Sequence, residues 1–338
     1  VLGDELRALE VDRPIFIAGV ARSGTTILTE MLSHHPDVTA HRYSDFPNVY
    51  TPYWRNWLGN RTGAGWVEPV ERAHRDRIMV TPESPEAVEE LIWMTFFSDL
   101  HEPRVDQVLT AETHNPEFER FHSEHVRKLL LVRGASRYLT KGNYNLTRLA
   151  YILKLYPDAR VIVPVRHPVN HVASLVKQDR LFDRLAGEDR RVALQLRMSG
   201  HFEFGPGRRC INVGDHDAAA DIQNCWSHDD KVGGWAGYWS SVYGFALDQF
   251  ERNPLVRNVV EFVRYEDLCD QPSRQIDRLL DHCRLPAEPF DAIRAHYVDQ
   301  LTAPEYYKPA FSSAEIKRIE ALAGPVAERL GYPMDGSA

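Results

Sequence analysis

The sequence predicts an α/β protein: a three-layer sandwich with a central parallel sheet flanked by helices. Two observations carry this expectation. Three times along the chain a short apolar run leads directly into a segment with helical spacing, the pattern of a parallel sheet covered on both faces. The 338 residues, 43% hydrophobic and 26% charged, supply a core large enough for one big domain or two ordinary ones.

Pro14 to Val20 (PIFIAGV) is almost continuously apolar and reads as a buried strand. Thr26 to His34 follows as a helix, stopped by His35-Pro36. Arg137 to Lys141 reads as a second strand. Leu146, Leu149, Ile152, Leu153 and Tyr156 then fall on one helical face within Asn145 to Tyr156. Val161 to Val165 (VIVPV) is a third strand, in which Pro164 marks a strand end or special pairing. Pro168 suits the first turn of the next helix, where no amide donor is needed. Val259 to Val263 is a fourth strand.

Two stretches break this pattern. Tyr43 to Gly65 is rich in aromatics, Pro and Gly, and Gly200 to Gly237 mixes Gly, Cys, His and Asp. Long irregular segments in a compact α/β protein often form lids or substrate walls. The expectation is therefore one domain over residues 1–338, with acceptor-site or lid insertions near 43–125 and 181–237.

The net charge of −8 argues against a nucleic-acid binder that relies on counterion release, and leaves room for a local basic pocket. No apolar run approaches the roughly 20 residues of a membrane span. Val1 to Glu10 has neither the basic start nor the apolar run of a signal peptide. This gives a cytoplasmic expectation. Because Val1 is not a starting Met, export by a removed segment stays open. Cys210, Cys225, Cys269 and Cys283 form no Cys-x-x-Cys pair; two disulfides or four free thiols both fit. The histidines from His101 to His171 show no i, i+4 pair with a third ligand, so no metal is expected. Trp235 and Trp239, four apart, read as core packing on a helix.

Gly19-Val20-Ala21-Arg22-Ser23-Gly24-Thr25-Thr26 joins the first strand to the first helix with P-loop spacing, Thr25 standing where a Walker A motif has Lys. Free amides at the helix start form an anion seat, to which Ser23, Thr25 and Thr26 add hydroxyls and Arg22 a fixed charge. Alone, this P-loop-like junction leaves kinase, ATPase and sulfotransferase open. A nucleoside-triphosphate enzyme needs the Lys and an acid for Mg²⁺, and Arg166, not an acid, ends the third strand. Arg166 at that strand edge and Ser174 two turns into the next helix are positioned to grip one phosphate.

Together the two junctions resemble the sulfotransferase family that uses 3'-phosphoadenosine 5'-phosphosulfate (PAPS). Arg22 to Thr26 is similar to its "PRSGTT" loop, and Arg166 with Ser174 to its "VR-x-P…S" element. Tyr156-Pro157-Asp158-Ala159-Arg160 looks like "FPDAK", Arg264-Tyr265-Glu266-Asp267-Leu268 like "RYEDL", and Leu330-Gly331-Tyr332 like a common ending. The resemblance runs from about Arg13 to Tyr332. It is nearest the Golgi-type and bacterial branches, which carry Arg before Ser-Gly-Thr-Thr.

The resemblance implies PAPS as donor without a metal, and a hydroxyl or amine on a small-molecule, carbohydrate or lipid acceptor. It assigns donor binding to Arg22, Ser23, Gly24, Thr25, Thr26, Arg166 and Ser174, with Tyr265. Lys308, within Tyr306-Tyr307-Lys308, is a candidate substitute for an Arg-Lys-Gly element that this chain lacks. Arg22 and Lys141 are the expected catalytic cations. Where the family's base falls, this chain has no Glu, so Asp45 or His41 is the candidate base. Glu266 and Asp267 are expected to be structural. The alternatives are a P-loop kinase and a non-catalytic module binding adenosine 3',5'-bisphosphate.

Overall fold

The computed structural model describes residues 3–54, 56–57, 67–75, 78–302 and 310–334. The strands are β1 Ile15–Ile17, β2 Val38–Ala40, β3 Val70–Glu71, β4 Met79–Val80, β5 Arg137–Lys141, β6 Arg160–Val165 and β7 Val260–Arg264. Five form one all-parallel sheet in the order β2-β5-β1-β6-β7, while β3 and β4 pair as a separate antiparallel hairpin. The architecture is the expected three-layer α/β sandwich.

Strand β1 explains the layering. Ile15, Phe16 and Ile17 are all fully buried, because each face of the strand meets a different core. Ile15 and Ile17 join Leu28 and Leu32 of the helix Thr25–Ser33 and Ile276 and Leu280 of the helix Pro272–Cys283. Phe16 points the other way, into a core with Ile152, Val172 and Trp239. Period-two alternation thus separates two apolar sets and leaves no polar face. The helix Lys231–Arg252 packs against the helices Pro168–Glu188, His216–Ser227 and Ser313–Arg329 on that second side. Trp235 and Trp239 lie fully inside, as the core reading expects.

The strand expectations match closely. Pro164 pairs with β7 beyond the last rung of β1, where that side of β6 needs no ladder donor. Its carbonyl accepts a hydrogen bond from Tyr243 Oη at 2.9 Å. The segment expected as one helix from Asn145 is instead a 3₁₀ turn, Asn143–Thr147, followed by the helix Leu149–Leu155. Between them Arg148 leaves helical geometry at φ −119°, ψ 8°. Its buried guanidinium donates to both oxygens of Glu90 at 2.9 and 2.7 Å and lies over the Trp93 ring. That tertiary contact outweighs the local helical pattern.

Residues 200–237, expected to be irregular, become helical from His216. Gly234 sits inside a helix because the Trp226 indole occupies the space a Cβ would need. The four cysteines are free thiols. Among the described residues no helix is long and apolar enough to cross a membrane.

Candidate active site

The carboxyl edge of β1, β5 and β6 brings three strand ends together. After β1 the chain turns through Arg22 at φ 73° and Gly24 at φ 107° before entering the helix at Thr25. A Cβ on Gly24 would lie 2.9 Å from Tyr265 Cδ2. Glycine is therefore required twice, by the left-handed backbone and by the ring beside it. The first amides of this helix have no partner within it, which makes its start an anion seat. Ser23 is buried, and among the described residues its Oγ has no well-formed hydrogen bond. A cradle with an unspent hydroxyl and no space for a Cβ fits a bound phosphate-type oxyanion.

The second junction faces the first. After β6, Arg166 precedes the helix Pro168–Glu188, which begins with Pro. Arg22 Nε donates to Ser174 Oγ at 3.4 Å, and His171 Nε2 lies 2.8 Å from the Ala21 carbonyl. His171 Nδ1 accepts from Trp239 Nε1 at 3.1 Å, so Nε2 carries the ring proton and donates to Ala21. Burial holds this imidazole neutral, pulling it down to about 3. Tyr265 stands between the junctions, its ring against Gly24 and 5.3 Å below the Arg166 guanidinium.

Glu266 and Asp267 have structural partners. Glu266 accepts from the His167 amide at 3.0 Å and from Tyr332 Oη at 2.7 Å. Asp267 pairs with Arg264 at 2.7 Å.

At the end of β5, Lys141 Nζ lies 3.2 Å from Thr26 Oγ1 and 3.1 Å from the Glu86 carboxylate. Arg72 also donates to Thr26 Oγ1, at 3.0 Å. Burial alone would raise Glu86, but the Lys141 charge, with further help from His201 and the Ala87 amide, holds it well below the usual carboxylate range. These residues line a cavity of about 120 Å³ that also includes Arg22, Thr25, Asn143, His201 and Glu203. Asn143 donates to Glu203 at 2.5 Å, and the other Glu203 oxygen lies 3.6 Å from His201 Nδ1. Burial pulls His201 down, and the Glu203 and Glu86 carboxylates together more than offset it, so the imidazole titrates above its ordinary value.

Arg22, Thr25, Thr26 and Lys141 thus meet in one cavity, with Ser174 bound to Arg22 beside it. Asp45 and His41 do not line this cavity. Asp45 is buried under β2, where Arg133 Nη2 donates to both its oxygens at 3.0 and 2.8 Å. It also accepts from the Arg42 amide at 2.9 Å and lies 3.2 Å from His41 Nδ1. Despite burial, these partners keep Asp45 well below the usual carboxylate range. His41 is in turn 3.0 Å from His125. The structure thus holds Asp45 and His41 with these partners and does not bring them together with Lys141 and Arg22. Lys308 lies outside the described residues.

Arg72, Glu86, His201 and Glu203 were not singled out in the sequence. They come from segments between the sheet strands, where no period or glycine pattern marks them.

Two anion seats on one parallel-sheet edge, bridged by an arginine, define an α/β protein built to hold a multiply charged small anion. The comparisons with known proteins name the class. Residues 14–197, more than half of the chain, match the model of the sulfotransferase family, and the chain belongs to that family. Among solved structures it is similar to sulfotransferase STF9 from Mycobacterium avium, with a TM-score of 0.59 and 14% identity over 99% of this chain and 81% of that one. It is also similar to a sulfotransferase from Alicyclobacillus acidocaldarius, with a TM-score of 0.47 and 16% identity over 95% of each chain. At 14% identity the likeness to the Mycobacterium avium protein concerns the fold. No curated protein matches the chain.

Proposed function

We propose that the protein transfers the sulfuryl group of PAPS to a hydroxyl or amine of an acceptor by in-line displacement. The observation that carries this reading is the contact of the two junctions, Arg22 Nε 3.4 Å from Ser174 Oγ on one sheet edge. One doubly charged donor then spans both. Its 5'-phosphosulfate sits on Arg22, Ser23, Gly24, Thr25 and Thr26, and its 3'-phosphate on Arg166 and Ser174, with Tyr265 packed between. The Arg before Ser-Gly-Thr-Thr supports a place near the bacterial and Golgi-type branches.

The acceptor oxygen forms a bond to sulfur while the bridging S–O bond breaks. The electron pair leaves with adenosine 3',5'-bisphosphate, and Lys141 and Arg22 stabilise the negative charge that develops. The acceptor proton goes to His201, which lines the cavity and is backed by Glu203. Its raised proton affinity suits a base near neutral pH. Residues 43–125 and 181–237 supply the acceptor walls, a reading supported by Arg72, Glu86, His201 and Glu203 all falling within them.

Thermal unfolding with added nucleotides tests the donor reading. Adenosine 3',5'-bisphosphate without metal raises Tm well above AMP at equal concentration; saturation at 100 times Kd contributes about 2.7 kcal/mol. Arg166→Ala removes the difference. Stronger stabilisation by ATP with Mg²⁺ would favour a kinase instead. Stabilisation by the bisphosphate with no transfer to any acceptor class would favour a non-catalytic module.

A further inference from the structure

A cavity of about 1140 Å³ opens beside the reactive one and shares Leu196, His201 and Phe204 with it. Its volume stands at the upper end of small-molecule sites, roughly 300–1,000 Å³. His201, the proposed base, is therefore part of the wall between the two spaces.

The lining combines two chemistries. One side is apolar, from Leu194, Leu196, Phe202 and Phe204. The helix Arg190–Met198 buries none of its residues, and its Leu194 is 57% exposed toward this space. The other side is cationic. Arg208 is neutralised by the buried Asp179, and the exposed Arg104 lies 3.9 Å from Glu102. Arg209 donates to the His101 carbonyl at 2.8 Å and lies over the Phe202 ring, with no carboxylate among its partners in the described residues. Arg197 likewise has no carboxylate partner among the described residues. Two guanidinium groups with no carboxylate partner among the described residues thus flank apolar surface in a chain whose net charge is −8. Such a local field selects an anion against the sign of the whole protein.

We infer that this cavity is the acceptor subsite and takes an anionic amphiphile. Its apolar body lies along Leu194, Leu196, Phe202 and Phe204, and its carboxylate or other oxyanion meets Arg197 and Arg209. Its hydroxyl reaches His201 at the shared wall. The inference rests on the sulfuryl-transfer reading for the acceptor role, and on the cavity alone for the ligand chemistry. Guanidinium fits an oxyanion with paired donors, whereas a neutral alcohol gains nothing from it and a cationic one is repelled.

The full chain is tested with three probes of equal length: ω-hydroxydecanoate, decanediol and ω-hydroxydecyl-trimethylammonium. Binding is read by calorimetry, and turnover by formation of the sulfated product from PAPS. The carboxylate binds about 10-fold tighter than the diol, as one charged hydrogen bond implies, and the ammonium compound binds weakest. Arg197→Glu abolishes this order, and Arg197→Gln weakens it, while both variants keep the wild-type stabilisation by adenosine 3',5'-bisphosphate. Equal binding of all three probes, or an order unchanged in Arg197→Glu, overturns the inference and leaves the donor reading standing. Selective binding of the carboxylate without stabilisation by the bisphosphate has the opposite meaning: the transfer reading and the acceptor role fall, and the anion selectivity of the cavity stands.

Discussion

Lys141 and Glu86 form a buried pair whose removal has a calculable cost. The side chains are 8% and 14% exposed and 3.1 Å apart, and Lys141 also reaches Thr26. Lys141→Met removes the cation and leaves the carboxylate unpaired, a loss of about 3–5 kcal/mol. For 338 residues, about 2.1 cal/mol/K of unfolding entropy per residue gives about 0.7 kcal/mol per degree, so Tm falls by about 4–7 °C. Lys141→Met/Glu86→Gln removes both charges and recovers about half of that loss, so the double variant is less destabilised than the sum of the two single variants and the double-mutant cycle reads a clear coupling energy. The effect also depends on pH. In the wild type Glu86 titrates below its ordinary value, so its contribution is present above about pH 4.5 and fades only as pH falls through that region. Without Lys141, the burial that raises Glu86 is less well opposed, so it takes a proton at higher pH than in the wild type. The gap between variant and wild type therefore narrows toward pH 5. Urea unfolding of all four proteins at pH 8 and pH 5 measures this. A coupling energy below about 0.5 kcal/mol, or a gap independent of pH, refutes the pairing. In catalysis Lys141→Met lowers turnover far more than affinity for the bisphosphate; equal losses assign Lys141 to binding alone.

Three further outcomes follow from the same geometry. Gly24→Ala forces a Cβ against Tyr265 at a left-handed backbone position, costing about 1–2 kcal/mol and reducing the Tm gain from the bisphosphate; an unchanged gain would separate Tyr265 from the donor seat. Asp45→Asn breaks the buried pair with Arg133 and lowers stability by about 3 kcal/mol, with turnover per folded molecule unchanged, whereas His201→Asn lowers turnover and erases its rise with pH through a value above that of ordinary imidazole. Stability falls as pH drops below about 6.5, because His171 and His282 are held at about 3 and about 4 by burial and the unfolded chain binds the protons first; the slope is about 1.4 kcal/mol per pH unit for each proton, seen as a lower urea midpoint at pH 5 than at pH 7.

The two strand-to-helix junctions were legible because their requirements are local. A strand that leads through a loop ending in Gly24 into a helix writes its geometry into eight consecutive residues, Gly19 to Thr26, and Arg166, Pro168 and Ser174 do the same at the second junction. The fold was legible for the same reason, since β1 and β6 show their burial as nearly unbroken apolar runs. Three-residue β2 is too short to show any period. The helices after His216 were hidden by Gly233, Gly234 and Gly237, whose role is to admit neighbouring side chains rather than to turn the chain.

The rest of the cavity was not legible, and Asp45 shows why. Its position after His35-Pro36 placed it correctly near the sheet edge, but sequence distance does not reveal that Arg133, 88 residues away, claims both carboxylate oxygens. The groups that do face Lys141 lie in segments with no secondary-structure period: Glu86 before a helix, and His201 and Glu203 after one. Each is held by a partner far along the chain, as Glu203 is by Asn143 across 60 residues. A seat for a fixed donor can be built from one turn of backbone, and so recurs as a motif. A wall that must match a particular acceptor is assembled from side chains that meet only after folding, and two chains with the same donor loop are free to build it differently. On the proposed reading, the basic cavity beyond His201 carries this chain's own specificity, and substitutions at Arg197 then change the choice of acceptor without changing the choice of donor.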